Sequence, residues 1–157
     1  MRIGIGIDAH AFEDGTPLVL GGVEFPGEQG LAGHSDGDVV THALIDALLG
    51  AANLGDIGTS FPSDDEAFRD ISSLLLLSRA YAQVREAGYQ LVNADCVLVG
   101  ERPKIGKRRG EMAERLAETL GVEPSLIAVR ATTTDRLGFT GRGEGLAAQA
   151  AALLDTL

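Results

Sequence analysis

The sequence predicts a two-layer α+β domain, with helices covering one face of a mixed β-sheet, and three observations predict it. The spacing of apolar residues switches repeatedly between a period of two and a helical period. The resulting order is strand, hairpin, helix, helix, strand, helix, strand, helix, a mixture that suits helices packed on one side of a sheet. A chain of 157 residues with 45% hydrophobic content can build one respectable core but not two, so residues 1–157 are expected to form a single domain. Internal repeats, low-complexity tracts and interdomain linkers are absent from the sequence.

Each element has its own signal. Ile3, Ile5 and Ile7 alternate with Gly4 and Gly6, a short strand that delivers Asp8 and His10 at its end. Leu18–Leu20 and Val23–Phe25 flank Gly21-Gly22, which reads as a hairpin. Val39, Val40, Ala43, Leu44, Ala47, Leu48 and Ala51 recur at helical spacing and predict a helix over about 38–52, with Ser35 or Asp36 as its N-cap. Residues 53–67 form a polar loop, long enough to be functional. A second helix is expected over about 67–87, with Ile71, Leu74, Leu75, Ser78, Tyr81 and Val84 inward and Gly88 just past its end. Tyr89–Val99 alternates as a strand. A third helix over about 107–120 presents Met112, Ala113, Leu116 and Leu120 and stops at Gly121. Ile127, Val129 and Ala131 mark another strand, residues 132–143 a glycine-rich polar loop, and residues 146–154 a last amphipathic helix.

Composition narrows the function. With 13 Lys and Arg against 23 Asp and Glu, the formal net charge is −10. A nucleic-acid groove is excluded, because neutralising a phosphate backbone needs an excess of cations. A phosphorylated small molecule would have to be held locally, by metal ions, backbone N–H groups or a few placed basic residues. The single cysteine, Cys96, fits a reducing compartment and, mid-strand without a nearby His, reads as core. The N-terminus lacks the apolar block of a signal peptide, and the most apolar short run, Leu74–Leu77, is far short of the ~20 residues of a membrane span, so a cytoplasmic protein without membrane contact is expected. The 21 glycines cluster at 4–6, 21–37, 50–58 and 138–145, where turns or close backbone approaches to a ligand are expected.

Three clusters could carry chemistry. Asp8 and His10 lie two apart on a strand and so project to the same side, while His42 sits about one turn into the first helix. If that helix packs over the strand end, two imidazoles and a carboxylate converge, the three-ligand set of a catalytic Zn²⁺ site with an open fourth position. Asp38 and Asp46, four residues either side of His42, could orient its ring. His34 and Ser35 open the run His34-Ser35-Asp36-Gly37-Asp38, read either as a plain helix start or as donors to a phosphate; the spaced ligands and terminal Glu of a calcium loop are missing. Residues 131–145, rich in Thr and Gly, could cradle phosphate oxygens, with Asp135 on a hard cation, or form a mere solvated turn; they lack the Gly-Lys-Ser/Thr ending of a P-loop. Residues 101–109 hold five of the 13 basic residues, a local anion site or the solvated start of a helix.

These residues also carry a family resemblance. Gly6-Ile7-Asp8-Ala9-His10, His34-Ser35-Asp36-Gly37-Asp38, Phe61-Pro62, Pro103-Lys104, Ala131-Thr132-Thr133-Thr134 and Leu137-Gly-Phe-Thr-Gly-Arg-Gly-Glu-Gly145 are similar to the motifs of the 2-C-methyl-D-erythritol 2,4-cyclodiphosphate synthases, from the first strand to the last element. The resemblance implies a homotrimer with active sites between subunits, which converts 4-diphosphocytidyl-2-C-methyl-D-erythritol 2-phosphate into the cyclic diphosphate and CMP. It implies Zn²⁺ on Asp8, His10 and His42, and a second divalent ion, Mg²⁺ or Mn²⁺, on Asp135, where the family usually has the longer Glu. It implies His34 and Thr133 as the residues that position or stabilise the reacting diphosphate. Substrate contacts are implied for Asp8, Ala9, His10, His34, Ser35, Asp56, Ile57, Gly58, Phe61, Pro62, Ser63 (in place of a frequent Asp), Asp64 and Asp65. On the cytidine side they fall on Gly100, Pro103, Lys104, Ile105, Gly106, Thr132, Thr133, Thr134 and Asp135. Phe139 and Arg142 are implied to face the trimer axis, where some relatives hold a prenyl diphosphate. A zinc phosphohydrolase and a non-catalytic binder of prenyl diphosphates are the rival readings of the same residues.

Overall fold

In the computed structural model, which describes all 157 residues, the sheet is built outward from one long first strand. Strand β1 (Arg2–Glu13) pairs antiparallel with β7 (Gly145–Thr156) along ten consecutive residues, from Arg2↔Leu154 to Ala11↔Gly145. The other side of β7 pairs antiparallel with β5 (Tyr89–Val99), which runs parallel to β6 (Ile127–Thr132). With the two-residue β4 (Gly30–Leu31) at the far edge, the order is β4-β1-β7-β5-β6. Strands β2 (Val19–Leu20) and β3 (Val23–Glu24) form the expected hairpin, which stands as a separate two-stranded sheet.

Helices α1 (Val39–Ala51), α3 (Ser73–Glu86) and α4 (Arg109–Leu120) cover one face, and with the sheet they enclose a 37-residue apolar cluster. The mixed sheet and its single helical layer match the predicted architecture. The other face is open, with Ile3, Ile5 and Ile7 at 71%, 61% and 68% exposure.

The approach of α1 to the sheet fixes the rest. On β1 the helix-facing residues are Gly4, Gly6, Asp8 and His10, because alternate side chains share a face. A Cβ on Gly4 or Gly6 would be driven into the backbone carbonyl of Ala47 or Ala43, so these two glycines let α1 lie directly on the strand. The helix runs against the strand direction here, and its next residues toward the N-terminus arrive over Asp8 and His10.

Two expectations fail at the level of whole elements or faces. Residues 146–154 are not a helix: they form most of β7, in the middle of the sheet. Leu146, Ala148, Ala150, Ala152 and Leu154 are buried at every second position, a period of two hidden by apolar residues between them. Alanine favours a helix locally, but pairing on both edges and the need for small side chains beneath α1 override that preference. On α3, the buried residues are Ser73, Leu76, Leu77, Ala80, Tyr81 and Val84, whereas Leu75 and Ser78 face solvent. The helix starts six residues later than expected, and the apolar run Leu74–Leu77 gives no phase of its own.

Smaller corrections concern ends. Strand β1 continues through His10 to Glu13, so Asp8 and His10 lie within it and not at its end. The polar loop after α1 contains a single turn α2 (Ile57–Ser60) and a 3₁₀ turn at Glu66–Phe68. The loop after β6 contains the turn α5 (Gly138–Gly141), and a 3₁₀ turn at Gly106–Arg108 precedes α4. The N-cap of α1 is Asp38, not Ser35 or Asp36. Its fully buried carboxylate accepts from Thr41 N (3.0 Å) and Thr41 Oγ1 (2.7 Å), and also from Gly21 N (2.9 Å) and Gly22 N (2.8 Å). One side chain thus ties the hairpin turn to the start of the helix.

Candidate metal centre and its cavity

The close seating of α1 on β1 brings His42 against Asp8 and His10. His10 Nε2 lies 2.8 Å and His42 Nδ1 3.1 Å from Asp8 Oδ2, and the two nitrogens are 3.4 Å apart. A tetrahedral ion with bonds of about 2.0–2.2 Å separates its ligand atoms by roughly 3.3–3.6 Å; the nitrogen–nitrogen side of this triangle falls in that range and the two sides to Asp8 are shorter. The two imidazoles meet edge to face, with centroids 5.5 Å apart. Asp8, His10 and His42 are also the one group of three or more metal-ligating side chains whose donor atoms converge. The donor set, two imidazole nitrogens and one carboxylate oxygen, fits a divalent transition metal.

The electrostatics bind the trio together. Burial alone would raise the Asp8 carboxyl, but hydrogen bonds from His10 and His42 and their charges override it and bring its pKa from 3.8 down to about 2. Burial alone would make His42 less basic; the bond and charge of Asp8, with the charges of Asp38 and Asp36, outweigh that and raise it. The site therefore attracts positive charge, whether proton or metal.

The expected orienters of His42 do not touch it. Asp38 is occupied with the helix cap and Asp46 accepts from Ile57 N at 2.7 Å. Burial raises the carboxyls of both. The far nitrogen of His42, Nε2, instead meets Ser73 Oγ at 2.8 Å and Ser35 Oγ at 3.0 Å. Ser73, the first residue of α3, is fully buried and hydrogen-bonded to Asp36. Sequence reasoning missed Ser73 because it falls inside the helix expected over 67–87 and off its apolar pattern, and nothing in its spacing relates it to His42.

A cavity of about 550 Å³ opens beside the trio. It is lined by Asp8, His10 and His42 together with His34, Ser35, Ile57 and Gly58, and by Phe61, Pro62, Ser63 and Asp64. Of the remaining expected contacts on this side, Asp56 caps α2 through Thr59, which also holds its carboxyl below the usual value. Asp65 caps the 3₁₀ turn, and its carbonyl lies 3.4 Å from His34 Nε2. Ala9 is exposed on the opposite face of β1 from the two ligands it separates, so only its backbone faces that way. Phe68 and Leu76 complete the apolar wall and were not anticipated.

A second cavity, of about 320 Å³, lies at the carboxyl ends of the parallel pair β5 and β6. It gathers Gly100, Pro103, Lys104, Ile105, Gly106, Thr132 and Thr133, with Arg109 as an addition, and shares no residue with the first. Thr134 turns away, its Oγ1 donating to Leu137 O at 2.7 Å. Asp135 stands exposed in a left-handed backbone conformation (φ 51°), 3.4 Å from Thr133 Oγ1 and outside any cluster of potential metal ligands. Phe139 is 42% exposed, and Arg142 pairs with Glu144 at 2.6 Å. Cys96 is buried and its thiol is pushed up to about 12, chiefly by burial, as expected of core.

Comparison with known proteins finds relatives over nearly the whole chain. The YgbB family model matches residues 1–155. The 2-C-methyl-D-erythritol 2,4-cyclodiphosphate synthase of Rubrobacter xylanophilus is 56% identical over 157 residues, covering 98% of this chain and 94% of that protein; the one of Moorella thermoacetica is 54% identical over 154 residues, covering 98% and 94%. Among solved structures, a CDP-bound 2C-methyl-D-erythritol-2,4-cyclodiphosphate synthase superposes with a TM-score of 0.89 at 38% identity, over 98% of this chain and all of that one. The bifunctional IspDF of Campylobacter jejuni superposes with a TM-score of 0.96 at 43% identity, over 99% of this chain, which spans 42% of that longer protein.

Proposed function

The chain belongs to the YgbB family, and on that premise we propose how its residues carry out the family's reaction. The protein is a cyclodiphosphate synthase, a lyase of isoprenoid precursor biosynthesis: it closes 4-diphosphocytidyl-2-C-methyl-D-erythritol 2-phosphate into 2-C-methyl-D-erythritol 2,4-cyclodiphosphate and releases CMP. The observation that carries the assignment of roles is the convergence of Asp8, His10 and His42 at the mouth of a cavity walled by His34 and Ser35.

The nucleophile is the substrate's own 2-phosphate, anionic at neutral pH, so the protein needs no strong base. The barrier is repulsion between that phosphate and the diphosphate, together with alignment for in-line attack on the β-phosphorus. Asp8, His10 and His42 would hold Zn²⁺ and Asp135 a Mg²⁺ or Mn²⁺; these ions, when bound, neutralise and polarise the diphosphate and ease departure of CMP. His34 and Ser35 donate hydrogen bonds to phosphate oxygens, and Thr133 positions the diphosphate from the other side. Ile57, Gly58 and the Phe61–Asp65 stretch, with Asp56 behind them, enclose the methylerythritol part and exclude water. The backbone around Gly100–Gly106, with Lys104 and Thr132–Thr134, receives the cytidine end, in keeping with CDP bound to related proteins. Fixing both ends of one molecule turns ring closure into an orientation problem, worth up to several kcal/mol.

The two cavities are separate within one chain, which supports assembly as a homotrimer, the metal corner of one subunit completing the cytidine pocket of the next. The open sheet face with Ile3, Ile5 and Ile7 supplies an apolar surface for such an assembly. Exposed Phe139 and Arg142 would then line the axis, where a prenyl diphosphate could rest. No helix is long and apolar enough to cross a membrane, and a metabolic enzyme with a single cysteine is assigned to the cytoplasm. Residues 1–157 act as a single domain.

Incubation with the cytidyl substrate and Mg²⁺, followed by phosphorus NMR, tests the assignment. The cyclic diphosphate and CMP should appear in equal amounts; inorganic phosphate as the product would instead identify a phosphohydrolase.

A further inference from the structure

Resting on the metal reading above, we propose that Ser73 and Asp36 are positioning residues that set the tautomer of His42, through a hydrogen-bond relay running Asp36–Ser73–His42 toward the metal point. The argument follows the protons. An ionised carboxylate only accepts hydrogen bonds. Asp36 Oδ2 accepts from Ser73 N at 3.0 Å, and Asp36 Oδ1 accepts from Asp38 N at 3.1 Å and from the Ser73 hydroxyl. Ser73 has one hydroxyl proton, and it is committed to Asp36. Its oxygen, 2.8 Å from His42 Nε2, can then only accept, so the ring carries its hydrogen on Nε2. In the neutral ring that a metal requires, Nδ1 is then left bare, and Nδ1 is the atom that faces Asp8 Oδ2 and His10 Nε2; the charged ring donates to Asp8 from that same atom.

Ser35 Oγ, 3.0 Å from the same Nε2, is a second acceptor for that hydrogen, and since the Ser73 proton is on Asp36, Ser35 is the donor in the 3.3 Å bond between the two hydroxyls. The arrangement is sealed: Ser73 is fully buried, and no buried side-chain polar atom in the chain lacks a partner. It also joins three elements, since Asp36 precedes α1, Ser73 opens α3 and His42 stands on α1 over β1. Partners of this kind raise the basicity of a metal-bound imidazole and hold its plane, and their loss weakens metal affinity about 10–100-fold.

The test compares wild type, Ser73→Ala and Asp36→Asn. Ser73→Ala keeps the backbone N–H that Asp36 accepts from, so it removes the hydroxyl and little else. Chelator competition with Zn²⁺ should show affinity weakened about 10–100-fold in Ser73→Ala and in the same direction in Asp36→Asn. Imidazole nitrogen NMR of metal-free protein, at a pH where the ring is neutral, should show His42 protonated at Nε2 in wild type and a mixture of tautomers in Ser73→Ala. A purely structural role would shift melting temperature but leave the tautomer alone. Zinc affinity within twofold of wild type in Ser73→Ala, or His42 protonated at Nδ1 in wild type, would overturn the relay. If wild type takes up no zinc, the metal reading falls, and the tautomer measurement still decides the relay.

Discussion

At the corner of β1 and α1, three donor atoms lie 2.8–3.4 Å apart, supported by a buried helix cap and by two glycines that let the helix touch the strand. After β6, by contrast, Asp135 stands exposed on a turn, with one threonine hydroxyl nearby. Both places are expected to hold a divalent cation. The first is built by the core of a single chain and is ready before any ligand arrives. The second supplies one carboxylate, so the remaining ligands must come from the substrate's phosphates or water, as is usual for Mg²⁺. The contrast teaches that the candidate metal corner is set by folding, whereas a cation at Asp135 would be completed by the substrate.

The largest effect should follow from removing a ligand at the prepared corner. His42→Ala is expected to lower turnover about 10³-fold, since a Lewis acid on the diphosphate supplies several kcal/mol, while circular dichroism shows the fold retained. Full turnover in that variant would break the comparison. Asp38→Ala removes the acceptor of four hydrogen bonds, leaves buried donors unpaired, and should cost roughly 3–5 kcal/mol in denaturant unfolding. A loss below about 1 kcal/mol would show that the cap does not hold the corner.

Ligand geometry was partly legible before the fold. Asp8 and His10 share a strand face by simple alternation, the Tyr89–Val99 strand has the predicted ends, and helical spacing placed His42 on α1. What joins them was not legible. Gly4 and Gly6 look like turn residues in a sequence, and only a helix seated on them shows that they make room. β7 was misread because alanine-rich segments satisfy both periods, and a central strand beneath a close helix needs small residues. Ser73 and Asp36 serve His42 from 31 and 6 residues away in the chain, and no local pattern encodes a contact of that kind.

Asp135→Ala sharpens the comparison from the other side. It should raise the Mg²⁺ concentration needed for half-maximal turnover about tenfold, in line with a single charge-assisted contact, and leave bound zinc unchanged. An unaltered magnesium titration, or loss of zinc, would contradict the division of labour.

The smallest effect is a change in the sign of a pH slope. In metal-free protein the raised pKa of His42 means the native state holds more protons than the unfolded one above about pH 6.5. That stabilisation is complete below the unfolded value and is lost as pH rises through the folded one. Asp8 acts the other way: its pKa of about 2, against 3.8 unperturbed, contributes above 3.8 and is lost as pH falls toward 2. In zinc-loaded protein His42 must be deprotonated in the native state, so stability should rise with pH up to about 6.5. Melting temperatures across pH 5–9 should therefore rise up to about pH 6.5 and then level off with zinc, and stay level and then fall above about pH 6.5 without it; the same profile in both would separate the metal from His42.

Anomalous diffraction at the zinc edge from crystals of the loaded enzyme tests the shared ion most directly. One strong peak per chain is expected, about 2.0–2.2 Å from His10 Nε2, His42 Nδ1 and Asp8 Oδ2. A peak bonded to other residues, or none at that corner in fully active protein, would contradict the account.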